Sequence, residues 1–365
     1  MTANLIVSPE APSPVRLVVV TGAGASRELG PPGSPLPLME DWCSELIDEL
    51  GEGLARAIGL QKNQTAEQFE EIVGSVLSWI GTLDVAERFR LMGNQTFQGN
   101  ANSDQWLSLQ RERGHSFTEA IRKTLFDRFG AGTIDPERAE VAYSKLMAQL
   151  LPRQSSRATE LVAFATTNYD ASIEIALDRL DFAVNDGRST GMISTPTLMP
   201  QGMIAESNPL AIPVLHLHGA VGWYRNKGRI EIHGAEMPYN ATLGEPALLM
   251  PDPKKDPDRE AGVSALWTEF REALRRATHV FVAGHSLHDS VLVTELRRAM
   301  DAGARVAVTF YMPDVTDSFR TADAVADSEA MASQIRSQLS DAFVIPAALG
   351  PDLGLDSVAV GQWRG

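Results

Sequence analysis

The residues of this chain best suited to chemistry form four small polar sets, each placed directly after an apolar run. Leu17-Val18-Val19-Val20 leads into Thr21-Gly22-Ala23-Gly24-Ala25-Ser26, and Leu161 to Ala165 leads into Thr166-Thr167-Asn168-Tyr169-Asp170. Ile212 to Leu217 ends in His218-Gly219, and Val280 to Ala283 ends in Gly284-His285-Ser286-Leu287-His288-Asp289. Gly22 and Gly24 have no Cβ, so backbone N–H groups at that turn could come close to a pyrophosphate. A helix beginning at or after Ser26 would add the positive end of its dipole. Such a turn suits a dinucleotide or nucleotide. Asn168 can orient a reacting group without titrating, and a neutral histidine such as His218 is a competent base near pH 7.

Each set also has a plain structural explanation. The usual dinucleotide fingerprint wants a third glycine where Arg27 stands, and no strand ends in an acid about twenty residues later, so a bland strand-turn of small residues fits as well. Asn168 and Asp170 precede an amphipathic stretch with Ile173, Ile175, Ala176 and Leu177, where either could cap a helix; Asp170 could cap and bind at once. An isolated His218 at a strand end is by default a satisfied histidine. A metal reading exists too, because His216 and His218 alternate on a strand and would face the same way, with His285 and His288 on a later turn. No carboxylate cluster at a recognised ligand spacing accompanies them. The run Gly284 to His288 lacks the closing glycine of a nucleophile elbow.

The elements that must position these groups follow an α/β rhythm. Strands are expected at 17–20, 161–165, 212–217, 280–283 and 305–311, and polar groups recur where they end, the edge at which open parallel sheets bind ligands. Between the first two strands, residues 39 to about 151 read as helical. Thr65 with Gln68 makes a capping box, and Asp135-Pro136 a cap followed by proline at the first helical position. Residues 93–105 are polar and amide-rich and read as a mobile surface loop. Gly30 to Pro37 reads as a loop that either covers a ligand or simply connects, and Pro251 to Glu260 as a solvated charged loop. The division expected is an N-terminal arm at 1–14, a sheet domain at 15–38 and 158–365, and a helical insertion at 39–157.

Composition narrows the function. With 365 residues and 44% hydrophobic content the chain can bury one large core or two smaller ones. A formal charge of −15 argues against nucleic acid as a direct ligand. A single cysteine, Cys43, allows neither a disulfide framework nor a four-cysteine zinc site and fits a reducing compartment. No apolar run reaches bilayer-spanning length and no secretory leader is evident, so a cytoplasmic protein without membrane association is expected.

In this order, Gly22-Ala23-Gly24-Ala25-Ser26, Thr167-Asn168-Tyr169-Asp170, His218-Gly219 and Gly284-His285-Ser286-Leu287 resemble the motifs of sirtuins. The resemblance is closest to the sirtuin-like, NAD-consuming effectors of bacterial antiphage defence, which carry the Asn-Tyr-Asp form. It implies a Rossmann-like parallel sheet with helices on both faces and a helical insertion between the first two strands. It also implies roles. Gly22, Ala23, Gly24 and Ser26 would hold the NAD pyrophosphate, Asn168 would position the nicotinamide ribose and a water, and Asp170 would bind the nicotinamide carboxamide. His218 would act as base toward a ribose hydroxyl, and Gly284 and Ser286 would line the far ribose and phosphates.

The chemistry of such a site is consistent with its residue types. Breaking the bond between nicotinamide and ribose builds positive charge on the sugar, which calls for a fixed ribose, polar groups near the anomeric carbon and one admitted water. Two departures bear on the reaction. Sirtuin deacylases carry a four-cysteine zinc ribbon, impossible here, and their Pro-Asp-Phe-Arg loop is replaced by Pro35-Leu36-Pro37-Leu38-Met39. The expectation is therefore NAD as substrate, no zinc, and hydrolysis to nicotinamide and ADP-ribose rather than protein deacylation, in the service of antiviral defence by NAD depletion. The rival is a module that senses NAD or ADP-ribose without turnover. A homo-oligomer and a separate infection-sensing partner, an ATPase or another defence protein, are expected by the same resemblance.

Overall fold

The computed structural model describes residues 14–62, 64–92, 101–151, 158–189, 195–204, 211–250, 256–259, 262–309, 322–345, 347–348, 354–355 and 357–364. The arm expected at 1–14 therefore lies almost wholly outside the described residues, as do 93–100 of the amide-rich segment and 251–255 of the charged loop. The apolar run after Pro14 extends as β1 (Val15–Thr21), and the next strands are β2 (Thr159–Thr166), β3 (Ala183–Asn185) and β4 (Ala211–His216). Three short strands, β5 (Trp223–Asn226), β6 (Arg229–Ile232) and β7 (Glu245–Pro246), follow, and then come β8 (His279–Ala283), β9 (Arg305–Thr309) and β10 (Phe343–Val344). Seven of these form one sheet in the order β10-β9-β8-β1-β2-β4-β3, with parallel neighbours throughout. β5, β6 and β7 form a separate antiparallel sheet.

The side chains of β1 explain why helices cover both faces. Val18 and Val20, fully buried, pack with Leu266, Trp267 and Phe270 of α8 and with Leu292 and Leu296 of α9. Leu17 and Val19 pack on the other side with Ala139, Tyr143 and Leu146 of α6 and Ile173 and Leu177 of α7. These helices are α6 (Pro136–Leu150), α7 (Ser172–Arg179), α8 (Val263–Arg276) and α9 (Ser290–Asp301). A continuous β-branched run with no polar alternation is what a strand buried on two faces requires. The architecture is a Rossmann-like parallel sheet.

The earlier helices are α1 (Ala23–Ser26), α2 (Met39–Leu50), α3 (Glu52–Ala57), α4 (Ala66–Met92) and α5 (Ala101–Phe129), and α10 (Ala322–Gln338) lies near the end of the chain. Helices α2 to α6 come between β1 and β2. The two start signals read from the sequence act as expected: Thr65 and Gln68 exchange hydrogen bonds of 3.1 and 3.3 Å, and Asp135 accepts from the N–H groups of Glu137 and Arg138 before Pro136 opens α6. Helix α2 is tied to α5 by the Trp42 indole, which donates to Thr124 Oγ1 at 2.8 Å. Two expectations need correction. Residues 101–105 were expected in a surface loop but form the first turn and a half of α5, because the long helical register begins at Ala101. The helix expected at or after Ser26 is instead one turn, Ala23–Ser26, followed by a 3-10 turn at Arg27–Leu29. Gly30 and the prolines after it prevent continuation.

Candidate active site

Sheet register brings the four polar sets to one edge. Thr21 lies beside Thr166 on one side and Ala283 on the other, Thr166 lies beside His216, and Ala283 beside Thr309. These residues make one row across five strands, and the chain leaves the sheet from that row into Gly22–Ser26, Thr167–Asp170, Leu217–Gly219 and Gly284–Asp289. The chain runs from β1 to β2 on one side and later returns beside β1 as β8. The junction of β1 and β8 is thus a topological switch point, where parallel sheets open a binding crevice.

At that junction two loops interlock backbone to backbone. Gly22 N–H donates to Ala283 O and Gly24 N–H to Gly284 O, each at 2.9 Å. A Cβ at Gly22 would stand 2.8 Å from Gly284 O, and one at Gly284 would stand 2.2 Å from Ala25 N. Gly284 also has φ +62°, a conformation in which a side chain is strained. The glycines therefore answer first to loop packing. Since α1 is a single turn, a pyrophosphate here would rely on individual N–H groups near exposed Ala23 rather than on a long helix dipole.

The second set is wired to the first. Asn168, 6% exposed, donates through Nδ2 to Gly22 O at 3.0 Å and to Ser26 Oγ at 2.8 Å, while its own N–H bonds Thr166 Oγ1. Both amide hydrogens are fixed, so the orientation of the side chain is set, with Oδ1 as its remaining acceptor. Ser26 Oγ also lies 3.3 Å from Ser172 Oγ. Asp170 stands one residue before Ala171, the N-cap of α7, and accepts from Ser172 N–H at 3.0 Å, while its Oδ2 is buried without a hydrogen bond of normal geometry. Burial pushes the Asp170 carboxyl up, against the pull of Ser172, Ser26 and the nearby His216.

The two histidines part company. The alternation that would put both imidazoles on one face ends with β4 at His216, and their partners stand on helices packed on opposite faces of the sheet. His216 Nε2 bonds Glu174 Oε1 of α7. Burial lowers the His216 pKa, but the Glu174 carboxylate outweighs it and holds the imidazole above its ordinary value; in turn His216 holds Glu174 below its own despite burial. His218 Nε2 lies 2.9 Å from Asp289 Oδ2, with both residues less than a tenth exposed. Asp289 Oδ1 accepts from Val291 and Leu292 N–H at 3.0 and 3.1 Å, so one carboxylate caps α9 and holds the imidazole. An ionised carboxylate accepts Nε2–H, which leaves the lone pair of a neutral ring on Nδ1.

The remaining set members have other duties. Tyr169 carries the helices to the site: its hydroxyl donates to Leu249 O at 2.7 Å, and its ring meets Phe129 of α5 edge-on and lies against His218. Leu287 is buried at φ 61°, its N–H held by His285 Nδ1 at 2.8 Å, and this bend leaves Ser286 exposed on the outer side of the turn. The structure thus joins Gly22, Ser26, Asn168, Asp170 and Gly284 in one network and His218 in an adjoining pair, while Ser286 stands apart from both. Asp289 is the site residue that sequence reasoning missed. Its signal was present as an N-cap directly before an amphipathic helix, but nothing local says that the second oxygen would reach a histidine 71 positions earlier. Among the described residues no group of three or more His, Cys, Asp or Glu could hold a metal, and no helix is long and apolar enough to cross a membrane.

Comparison with known proteins gives one family match. The model of the SIR2-like domain fits residues 162–336, a span that contains Asn168, Asp170, His218, Gly284 and Asp289 but not the Gly22 turn. No curated protein matches the chain. Among solved structures, a mutant Sir2 homologue in complex with 2'-O-acetyl ADP ribose is 16% identical, with 89% of this chain and 92% of that one covered and a TM-score of 0.37. A Sir2 homologue in complex with NAD is 15% identical over 89% and 90%, with a TM-score of 0.36. Over residues 162–336 the chain matches a SIR2-like domain.

Proposed function

We propose that this protein hydrolyses NAD at the bond between nicotinamide and ribose, releasing nicotinamide and ADP-ribose. The observation that carries the reading is the pairing of two pre-set groups at one sheet edge: Asn168, fixed by Gly22 O and Ser26, and His218, fixed by Asp289. Departure of nicotinamide leaves positive charge on the ribose, and preorganised dipoles are worth most where water is excluded. Asn168 Oδ1 can accept from a water or ribose hydroxyl near the anomeric carbon. His218, with its lone pair set on Nδ1 by Asp289, can take a proton from the hydroxyl or water that adds there. Gly22, Ala23, Gly24 and Ser26 would lie along the pyrophosphate, Asp170 at the carboxamide, and Gly284 and Ser286 toward the far ribose.

Water is the acceptor in this reading because a single cysteine cannot build the zinc ribbon that shapes the acyl-peptide groove of sirtuin deacylases. Depletion of NAD as an antiphage effector, in a homo-oligomer answering to a separate infection-sensing protein in the cytoplasm, follows from the resemblance to such effectors. The test is chromatography of NAD incubated with the purified protein, alone and with proteins that co-purify from the native host. Equal amounts of nicotinamide and ADP-ribose without any acylated peptide support hydrolysis. Turnover that requires an acyl-lysine peptide replaces it with deacylation, and tight NAD binding without turnover under every condition replaces it with a sensor.

A further inference from the structure

A groove of about 910 Å³ lies among α3, α4 and α5 and takes in none of the four polar sets. Ile58, Ile72, Val76 and Phe117, buried or half-buried, line it together with exposed Trp79, Glu71 and Arg113. Among the described residues neither Glu71 nor Arg113 makes an ion pair. Helices α4 and α5 run past the groove as an antiparallel arm. At its base α2 braces it, where Thr124 takes the Trp42 indole and Lys123 and Arg128 pair with Glu49 and Glu45. Further out the two helices hold each other, Gly114 close against Ile80 and Arg111 Nε donating to Asp84 Oδ1 at 3.1 Å. Four of the seven large apolar side chains exposed among the described residues, Trp79, Val85, Trp106 and Leu109, stand on this arm. Trp106 precedes Gln110, Arg113 and Phe117 by four, seven and eleven residues, so it shares their stripe of α5 and continues the groove outward. The opposite side of α5 is polar, with Arg111, Glu112, His115 and Glu119. An apolar face rimmed by unpaired charge and bearing tryptophans has the character of an interface.

The face is complementary to itself. The contacts of Gly114 with Ile80 and of Arg111 with Asp84 set Arg113 level with Gly81 and Thr82 of α4. Glu71 therefore lies about 16 Å down the arm from Arg113 at about 1.5 Å per residue, with Val76 halfway between them. A two-fold axis through Val76, perpendicular to the arm, sets Arg113 of each copy opposite Glu71 of the other, forming the same pair twice. The same axis lays Trp79 of one copy over Ile72 of the other and carries Trp106 to the end of the groove lined by Leu54 and Ile58. Charge also favours a second copy. Although the chain carries a formal charge of −15, the groove is lined by one acid, Glu71, against Lys62 and Arg113, so two copies can meet here without repulsion. We propose that this face is a homodimer interface, each groove being filled by the α4–α5 arm of a second copy, so that the two arms form an antiparallel four-helix bundle. The interface stands on the arm alone, apart from the reading of NAD hydrolysis.

The test is sedimentation equilibrium of the full chain at about 1 to 100 μM, a range that resolves dissociation constants near the micromolar scale. The samples are the wild type, Trp106→Ala, Glu71→Arg, Arg113→Glu and the double reversal Glu71→Arg with Arg113→Glu. All three positions are exposed, so each variant should melt like the wild type. The wild type should be dimeric in the upper part of the range. Trp106→Ala should raise the dimer dissociation constant about tenfold or more, because the contact is lost twice. Either single reversal should raise it by a similar factor by setting like charges opposite each other, and the double reversal should return it to within about threefold of the wild type. A wild type that stays monomeric overturns the proposal and leaves the groove to a different protein. A dimer that Trp106→Ala and both single reversals leave unchanged assembles through another surface, and single reversals that the double variant fails to rescue refute the two-fold register; either result overturns the proposal as well.

Discussion

Asp289→Asn separates a helix cap from the positioning role proposed for the same residue. The asparagine carbonyl can still accept from Val291 and Leu292 N–H, since Asn and Asp cap helices about equally well, so the unfolding free energy should change by less than about 1.5 kcal/mol. The other half of the side chain changes sign: an amide N–H now points at His218 Nε2, where a carboxylate oxygen stood at 2.9 Å. The imidazole must answer with a lone pair on Nε2, which moves its proton to Nδ1 and removes the base from the nitrogen that Asp289 had set. Loss of a positioned general base costs about 10²–10⁴ in rate, or about 2.7–5.4 kcal/mol at about 1.36 kcal/mol per tenfold. The assay is nicotinamide release under whatever conditions the wild type turns over, with thermal and urea melts alongside. A variant with near-native stability that retains turnover within about threefold of wild type would refute the tautomer reasoning.

Three further outcomes test the framework. Gly284→Ala combines a left-handed backbone with a Cβ placed 2.2 Å from Ala25 N, so urea denaturation should show a loss of about 3 kcal/mol or more, and a loss under about 1 kcal/mol would show the two loops free to separate. His216 is held above its ordinary pKa of 6.5, so its ionised form contributes stability that is complete below that value and lost as pH rises through the raised one. The penalty of His216→Gln in denaturant melts should therefore be larger at pH 6 than at pH 9; equal penalties would mean that the pair with Glu174 carries no charge. Cys43 is 1% exposed and burial pushes its thiol up to about 11, so a disulfide reagent at pH 8 should label it in denaturant and not in the native protein; fast native labelling would contradict the packing of α2.

The parts of this molecule legible in the sequence are those whose cause is local. The uninterrupted valines of β1 announce a strand buried on both faces, and Thr65, Gln68, Asp135 and Pro136 mark helix starts because a cap involves residues two or three apart. The strand ends could be read for the same reason, and with them the positions of Asn168 and His218. What escaped the reading is nonlocal. Gly22 and Gly284 require each other across 262 positions through backbone contact, which no turn rule encodes. The partners of His216 and His218 depend on β4 stopping at His216, a boundary set by pairing with Thr166 and not by composition. The edge strands β3 and β10 have three and two residues, too short for a period to show. Tyr169 read as one member of a motif, yet its ring joins α5 to the site, because neighbouring helices supply the apolar surface around it.

The most direct measurement compares nicotinamide release from NAD by the wild-type protein, Asn168→Ala and His218→Ala, each first shown to melt like the wild type. If Asn168 and His218 act on one ribose, the wild type releases nicotinamide, each substitution lowers the rate by about 10² or more, and the double variant is scarcely slower than either, because groups that act as a unit do not add. Release that persists in both single variants would place the chemistry elsewhere in the chain and contradict the assignment of this sheet edge as the active site.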